Sequence, residues 1–293
     1  MLRPHVTSDE RSAGVMSVTN QERWQLIAST AEAYERHLVP SLFAPWAQRL
    51  VDLAAPRAAE RVLDVACGTG IVARHAATRV GDTGAVVGLD LSHSMLAVAE
   101  MAAADVSPPI HWRAGDAGAL PFPDGGVDVV GCQQGVQFFP DRAAAFREMH
   151  RVLAPHGRLA ISVWRDLRHS PGYQAMTAAL ERHAGAEAAA VMRTPFSCGD
   201  AERLRELVTA AGFRQVRIRI DIGAARFPSP EGFLRQQAAA SPLAGPLHGL
   251  AVDGWAALVR DLGETLGAHT DDGGVVFPIE AVIITAHAAR RRS

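Results

Sequence analysis

The run VLDVACGTGIVAR, Val62 to Arg74, restricts the fold more than any other stretch of the chain. Its first half is apolar and rich in β-branched residues, as a buried strand requires, and its second half carries apolar side chains at helical spacing. Between them stand Gly68 and Gly70, so the strand must turn into a helix within a few residues, through backbone conformations open to glycine. Such a turn aims the free N–H groups of the helix's first turn at whatever lies above the strand tip. Gly68-Thr69-Gly70-Ile71-Val72-Ala73 also fits the G-x-G-x-x-G/A spacing of nucleotide-binding turns. Asp64 stands four residues before Gly68, and the identity of the ligand turns on that carboxylate.

The next hundred or so residues alternate apolar runs with helical patterns. RVLDVAC (61–67) reads as the first strand, followed by a helix over 70–80. GAVVGLDL (84–91) is the second strand, and Ser92 caps a helix through SMLAVAEMAAA. IHWRAGD (110–116) and GVDVVGCQQ (126–134) are the third and fourth strands. A helix at DRAAAFREMHRVL (141–153) leads to a fifth strand at GRLAISVW (157–164). Five strands joined by crossovers predict an α/β fold, a doubly wound parallel sheet with helices on both faces. After Trp164 the rhythm breaks. Residues 166–198 and 229–268 read as helical insertions, with a capped helix at 200–213 and strands at 215–224 and 275–288.

Two cofactor classes compete for the glycine turn. A nicotinamide enzyme lays a pyrophosphate over it, and a carboxylate at the strand tip then faces an anion, which is unfavourable. S-adenosylmethionine has no phosphate and brings an ammonium and a sulfonium to the same place, so Asp64 attracts it. Asp90, 22 residues past Gly68, suits ribose hydroxyls under either reading. Asp116, ending the third strand, suits an adenine amino group, with the Ala117 N–H beside it. The chain contains no lysine at all, which excludes Schiff-base chemistry, a Walker-A site and the Tyr-x-x-x-Lys pair of short-chain dehydrogenases.

From Val62 to Trp164 the chain resembles the class I S-adenosylmethionine-dependent methyltransferases. It is most similar to the ubiquinone/menaquinone C-methyltransferases and the small-molecule methyltransferases of secondary metabolism. LDVACGTG, GLDLSHSML, GDAGALPFPDGGVDVV and FFPDRAAAFREMHRVLAPHGRL carry the likeness in order. The resemblance implies a Rossmann-like seven-stranded sheet of order 3-2-1-4-5-7-6 with strand seven antiparallel. It also implies that Asp64, Ala66, Gly68 and Gly70 line the methionine part, and that Asp90, Leu91 and Met95 hold ribose and adenine. Gly115, Asp116 and Ala117 would hold the adenine edge, with Gln133 and Gln137 facing the reaction centre. Some relatives carry histidine where Gln137 stands; a glutamine orients an acceptor but takes no proton. In similar enzymes an aromatic of the N-terminal helix closes over the donor, which makes Tyr34 a candidate; its other reading is core. The enzymes that methylate adenine or glutamine amides share an Asn-Pro-Pro-Tyr turn, and the single asparagine here, Asn20, excludes it.

Other features set the boundaries. Net charge is −2 and no basic stripe occurs before Arg290-Arg291-Arg292, which argues against a nucleic-acid partner. Cys67, Cys132 and Cys198 form no C-x-x-C pair, so no metal site or disulfide framework is expected, and a reducing cytoplasm is the expected location. No apolar run reaches the roughly 18 residues of a membrane span. Residues 1–19 predict a flexible tail, with Met16 as an alternative start, and 20–293 a single methyltransferase domain with helical lids at 166–198 and 229–268. Trp24 and Trp46 fall at helical spacing and read as core; His150 and His156 read as solvated. An oxygen or carbon acceptor needs a base; the catalytic candidates are Gln137, to orient the acceptor, and His169 and His248, with His183 and Arg193 also in the insertions. The leading reading is methyl transfer from S-adenosylmethionine to a small, largely apolar acceptor: O- or C-methylation of a phenol- or quinol-like ring, or N-methylation, in specialised metabolism. The alternatives are a cofactor-binding protein of the same fold catalysing another reaction, such as a cyclisation, and a pure binding module.

Overall fold

The computed structural model describes residues 28–289; the expectations for residues 1–19, for Trp24 and for Arg290–Arg292 lie outside the described residues. The chain opens with α1 (Ala28–Ala33), which passes through a π-helical stretch, Tyr34–Phe43, into α2 (Ala44–Ala54). The alternating unit follows: β1 (Arg61–Val65), α3 (Ile71–Val80), β2 (Ala85–Asp90), α4 (His93–Ala102), β3 (Ile110–Ala114), β4 (Val127–Gln133), α5 (Arg142–Val152) and β5 (Leu153–Trp164). The C-terminal third holds α6 (Pro171–Arg193), α7 (Ala201–Ala210), β6 (Arg214–Phe227), α8 (Pro230–Ala239), α9 (Ala244–Leu247), α10 (Val252–Thr265), β7 (Thr270–Asp271) and β8 (Gly274–His287).

The helix starts expected from sequence are built from side-chain caps. Ser92 Oγ accepts from Met95 N–H at 3.3 Å, Asp141 from Ala144 N–H at 2.8 Å, and Ser229 from Gly232 N–H at 2.9 Å. Each occupies a donor that the first helical turn leaves unpaired.

The sheet order is β3-β2-β1-β4-β5-β8-β6, with β7 paired to β8. Strands β1 to β5 are parallel, and β8 runs antiparallel to both β5 and β6. This is the expected order with one addition, an eighth strand. The two-residue β7 folds back on the start of β8, pairing Thr270 with Val275 and Asp271 with Gly274. Two apolar cores flank the sheet, as a doubly wound fold requires. One gathers α2, α3, α6, α8 and α10 with Trp46, Trp164 and Phe277; the other gathers α5 and α7 with Phe146, Met149 and Phe213. Trp46 is core, as its spacing predicts. His150 is not solvated: it is half-buried and lies edge-on to Phe213, ring centroids 5.0 Å apart, because α5 packs against the end of α7. His156 is exposed. No described helix is long and apolar enough to cross a membrane.

The strand order reverses between β1 and β4, and a crevice opens there beyond the carboxyl ends of the strands. That crevice is the candidate site.

Candidate active site

Two tight turns form the floor. After β1 the backbone takes a left-handed conformation at Ala66 (φ 54°), Gly68 (φ 56°) and Gly70 (φ 83°). After β4, Gln134 does the same (φ 54°). Ala66 and Gln134 are not glycines, and left-handed residues of that kind persist where the surroundings hold them, commonly at functional sites. The turns touch: a Cβ on Gly135 would lie 2.6 Å from the Ala66 Cβ. Gly70 is required on two counts, its positive φ and the Trp112 ring, which a Cβ would meet at 2.3 Å. Gly68, by contrast, faces open space, with no atom within 4 Å of where its Cβ would be. The backbone there is accessible to a ligand.

Three carboxylates border the cleft. Asp64 sits within β1, one residue short of its end, opposite Gly88 of β2 and Gly131 of β4, and is 1% exposed. Its Oδ2 accepts from Ala73 N–H of α3 at 3.0 Å, while Oδ1 is buried without a hydrogen-bond partner. Burial pushes its pKa up to about 8, and the Ala73 N–H opposes that only in part. Asp64 therefore divides its carboxylate between capping α3 and facing the cleft. Thr69 Oγ1, in the same turn, is likewise buried and unpaired. Asp90, at the end of β2, accepts from Gly68 N–H and from Ser92 N–H, each at 2.8 Å, and burial raises its pKa. A carboxylate has about four lone-pair positions, so Asp90 retains capacity for ligand hydroxyls. Asp116 is exposed at the rim and accepts from Gly118 N–H at 2.8 Å.

The cleft continues past these groups under the helical insertions. The π-helical stretch supplies Tyr34, stacked on Phe43 with centroids 4.9 Å apart, together with Leu38 and Leu42. The Glu35–Arg74 ion pair at 2.8 Å ties this stretch to α3. Gln133 Nε2 donates to Phe43 C=O at 3.0 Å and ties it to the tip of β4. From the helical insertions come Tyr173, Met192, Phe196 and Gln237, with Gln237 Nε2 donating to the Tyr173 hydroxyl at 2.9 Å.

The structure thus brings most of the sequence candidates together. Tyr34, Asp64, Ala66, Gly68, Asp90, Leu91 and Met95 all line the cleft, as do Gly115, Asp116, Ala117, Gln133 and Gln137. Gly70 does not; it sits behind the turn, against Trp112. His169 and His248 do not line it either. His169 lies near Glu280, 3.8 Å away, and His248 is exposed after α9. His183 pairs with Asp261 at 2.9 Å, and Arg193 bonds Glu181. Of the apolar lid residues, Tyr173, Met192 and Phe196 reach the cleft, whereas Met176, Phe233, Leu234, Leu243 and Leu247 pack into the core. Sequence reasoning passed over Thr69, Gln134 and Gln237; the run CQQGVQFF, with three amides in an apolar strand end, carried a signal for the second.

Known proteins resemble the chain in sequence and in fold. The methyltransferase domain family matches residues 63–161. The chain is 44% identical over 116 residues to a demethylmenaquinone methyltransferase of Thermus thermophilus, covering 40% of this chain and 52% of that protein. It is 40% identical over 121 residues to the nocamycin O-methyltransferase of Saccharothrix syringae, covering 41% and 43%. The chain spans about half the length of the curated relatives it matches. Among solved structures, phosphoethanolamine N-methyltransferase 2 of Haemonchus contortus, in complex with S-adenosyl-L-methionine, superposes with a TM-score of 0.59 at 20% identity, covering 94% of this chain and 61% of that one. That likeness is one of fold.

Proposed function

We propose that the protein, whose residues 63–161 match the methyltransferase domain family, is a class I S-adenosylmethionine-dependent methyltransferase that methylates a small, largely apolar acceptor in specialised metabolism. The observation that carries the reading is Asp64: a buried carboxylate beneath a phosphate-style turn, with one oxygen unpaired and its ionisation held back by burial. A pyrophosphate would oppose ionisation of that carboxyl still further, whereas a cationic ligand favours the ionised form and supplies the missing partner. When bound, S-adenosylmethionine supplies a methyl group already activated on sulfur. The residues present fit it. Asp64 Oδ1 and Thr69 Oγ1 suit the methionine end, and the open Gly68 backbone admits the ligand. Asp90 suits the ribose, Leu91 and Met95 the base, and Gly115, Asp116 and Ala117 its polar edge.

The chain's own work is then to align and to exclude water. The insertions cover the end of the cleft beyond β4 with apolar side chains, and Tyr34 and Phe43 close the opposite side. The uncharged, mostly apolar side chains at that end favour a small organic acceptor over a polyanion. The relatives are a demethylmenaquinone methyltransferase in one case and a nocamycin O-methyltransferase in the other, which supports an acceptor of this kind. A screen of phenolic, quinol and amine acceptors with methyl-labelled donor tests the reading. Labelled product with one S-adenosylhomocysteine released per turnover supports it. Conversion of an acceptor without S-adenosylhomocysteine favours the cyclisation alternative.

A further inference from the structure

The wall of the cleft at the end of β4 holds three amides in otherwise apolar surroundings: Gln133, Gln134 and Gln137, the last two only 7% and 5% exposed. The backbone fixes which way two of them point. The Trp164 N–H can only donate, and it donates to Gln134 Oε1 at 2.8 Å, so the Gln134 Nε2 group is left over. The Phe43 carbonyl can only accept, and it takes Gln133 Nε2 at 3.0 Å, leaving Gln133 Oε1. Gln137 Nε2 reaches Gln134 Oε1 at 3.4 Å, leaving Gln137 Oε1. All three leftover atoms are buried and have no hydrogen-bond partner. Buried amide groups are rarely left so unless ordered water or a ligand completes them, and these three border the cleft. Gln134 is also the residue held in a left-handed turn, a strain that fixes its place in the wall.

The titratable groups lining the cleft are Tyr34, Asp64, Cys67, Asp90, Asp116 and Tyr173. The three aspartates belong to the donor end. Burial pushes both phenols and the Cys67 thiol upward, so they hold their protons. No described histidine or arginine lines it.

We propose that Gln134 and Gln137, supported by Gln133, are the acceptor-reading residues. They take an acceptor whose polar group beside the reacting atom both accepts from Gln134 Nε2 and donates to Gln137 Oε1. The reacting group loses its proton to solvent before it enters the cleft rather than to a side chain. In the step itself a bond forms between the acceptor's nucleophilic atom and the methyl carbon. The carbon–sulfur bond breaks with its electron pair returning to sulfur, and the proton is already in solvent. The inference rests on the methyl-transfer reading and adds to it which residues choose the acceptor and what sets the pH dependence.

Two measurements on the full chain test it. The first is the Gln137→Met variant. Removing an unpaired buried oxygen should leave the ligand-free Tm unchanged or higher and S-adenosylhomocysteine affinity unchanged by calorimetry. KM for the best acceptor of the screen should rise about tenfold, the loss of one hydrogen bond to a buried group. A lower Tm with unchanged KM makes Gln137 structural and overturns the reader. The second is the pH profile of kcat/KM for that acceptor and for a ring-fluorinated, more acidic analogue. The inflection should move with the acceptor's own pKa. The same inflection for both demonstrates a protein base and overturns the proton route. Failure of every acceptor to yield S-adenosylhomocysteine, with the donor bound, overturns methyl transfer itself, and the reader with it.

Discussion

Asp64 ties one oxygen to α3 and leaves the other unpaired, and its ionisation makes the proposed ligand role measurable. The carboxyl is raised from 3.8 to about 8 in the ligand-free protein, so the native state holds a proton that the unfolded chain releases between those values. Stability of the ligand-free protein from this group is therefore full below pH 4 and falls as pH rises towards 8. A cationic ligand needs the ionised form, so binding expels the proton. Affinity for S-adenosylmethionine should rise by up to about tenfold per pH unit between pH 6 and 8, and Asp64→Asn should flatten both the affinity profile and the Tm profile. Calorimetry and thermal melts across that range check this; an affinity independent of pH contradicts it. At Asp90, removing a buried charged acceptor costs about 1.5–3 kcal/mol per hydrogen bond lost, so Asp90→Ala should raise the donor Kd at least tenfold, by calorimetric titration. Asp64, Asp90 and Asp116 were legible in the sequence because each sits at a fixed offset from a strand end. Gln134 was not, since its role depends on a left-handed turn and on the N–H of Trp164, thirty residues away in the neighbouring strand.

At the scale of elements, the glycine turn tolerates no side chain at Gly70. The Gly70→Ala change combines a positive φ of 83° with a 2.3 Å clash against Trp112 and should destabilise the protein by about 2–4 kcal/mol, measured by urea unfolding. The strand–helix alternation from β1 to β5 was legible because local periodicity and caps determine it. The π-helical stretch was not. Pro40 lies inside it and lacks the N–H that an α-helix would use, so the ladder widens there, and Tyr34 and Phe43 are brought face to face. The two-residue β7 was equally hidden, since a pair so short leaves no periodic trace. If Tyr34 closes over the donor, deletion of residues 1–40 should abolish donor binding while deletion of residues 1–15 costs little. Equal effects in a filter-binding assay would return Tyr34 to the core.

Across the whole molecule, the insertions after β5 and β6 contribute Tyr173, Met192, Phe196 and Gln237 to the cleft, and the strand ends contribute the carboxylates of the proposed donor end. Their apolar composition was legible; which side chains face the cleft was not. Helix packing decides that, and it sends Met192 and Phe196 to the cleft while Met176 and Leu234 go to the core. The same packing keeps His169 and His248 out of the cleft. The most direct test of the account is calorimetric titration of the full chain with S-adenosylhomocysteine and, separately, with NADH. The account predicts saturable, one-site binding of S-adenosylhomocysteine that Asp90→Ala weakens, and no heat from NADH. Binding of NADH with no response to S-adenosylhomocysteine would contradict it.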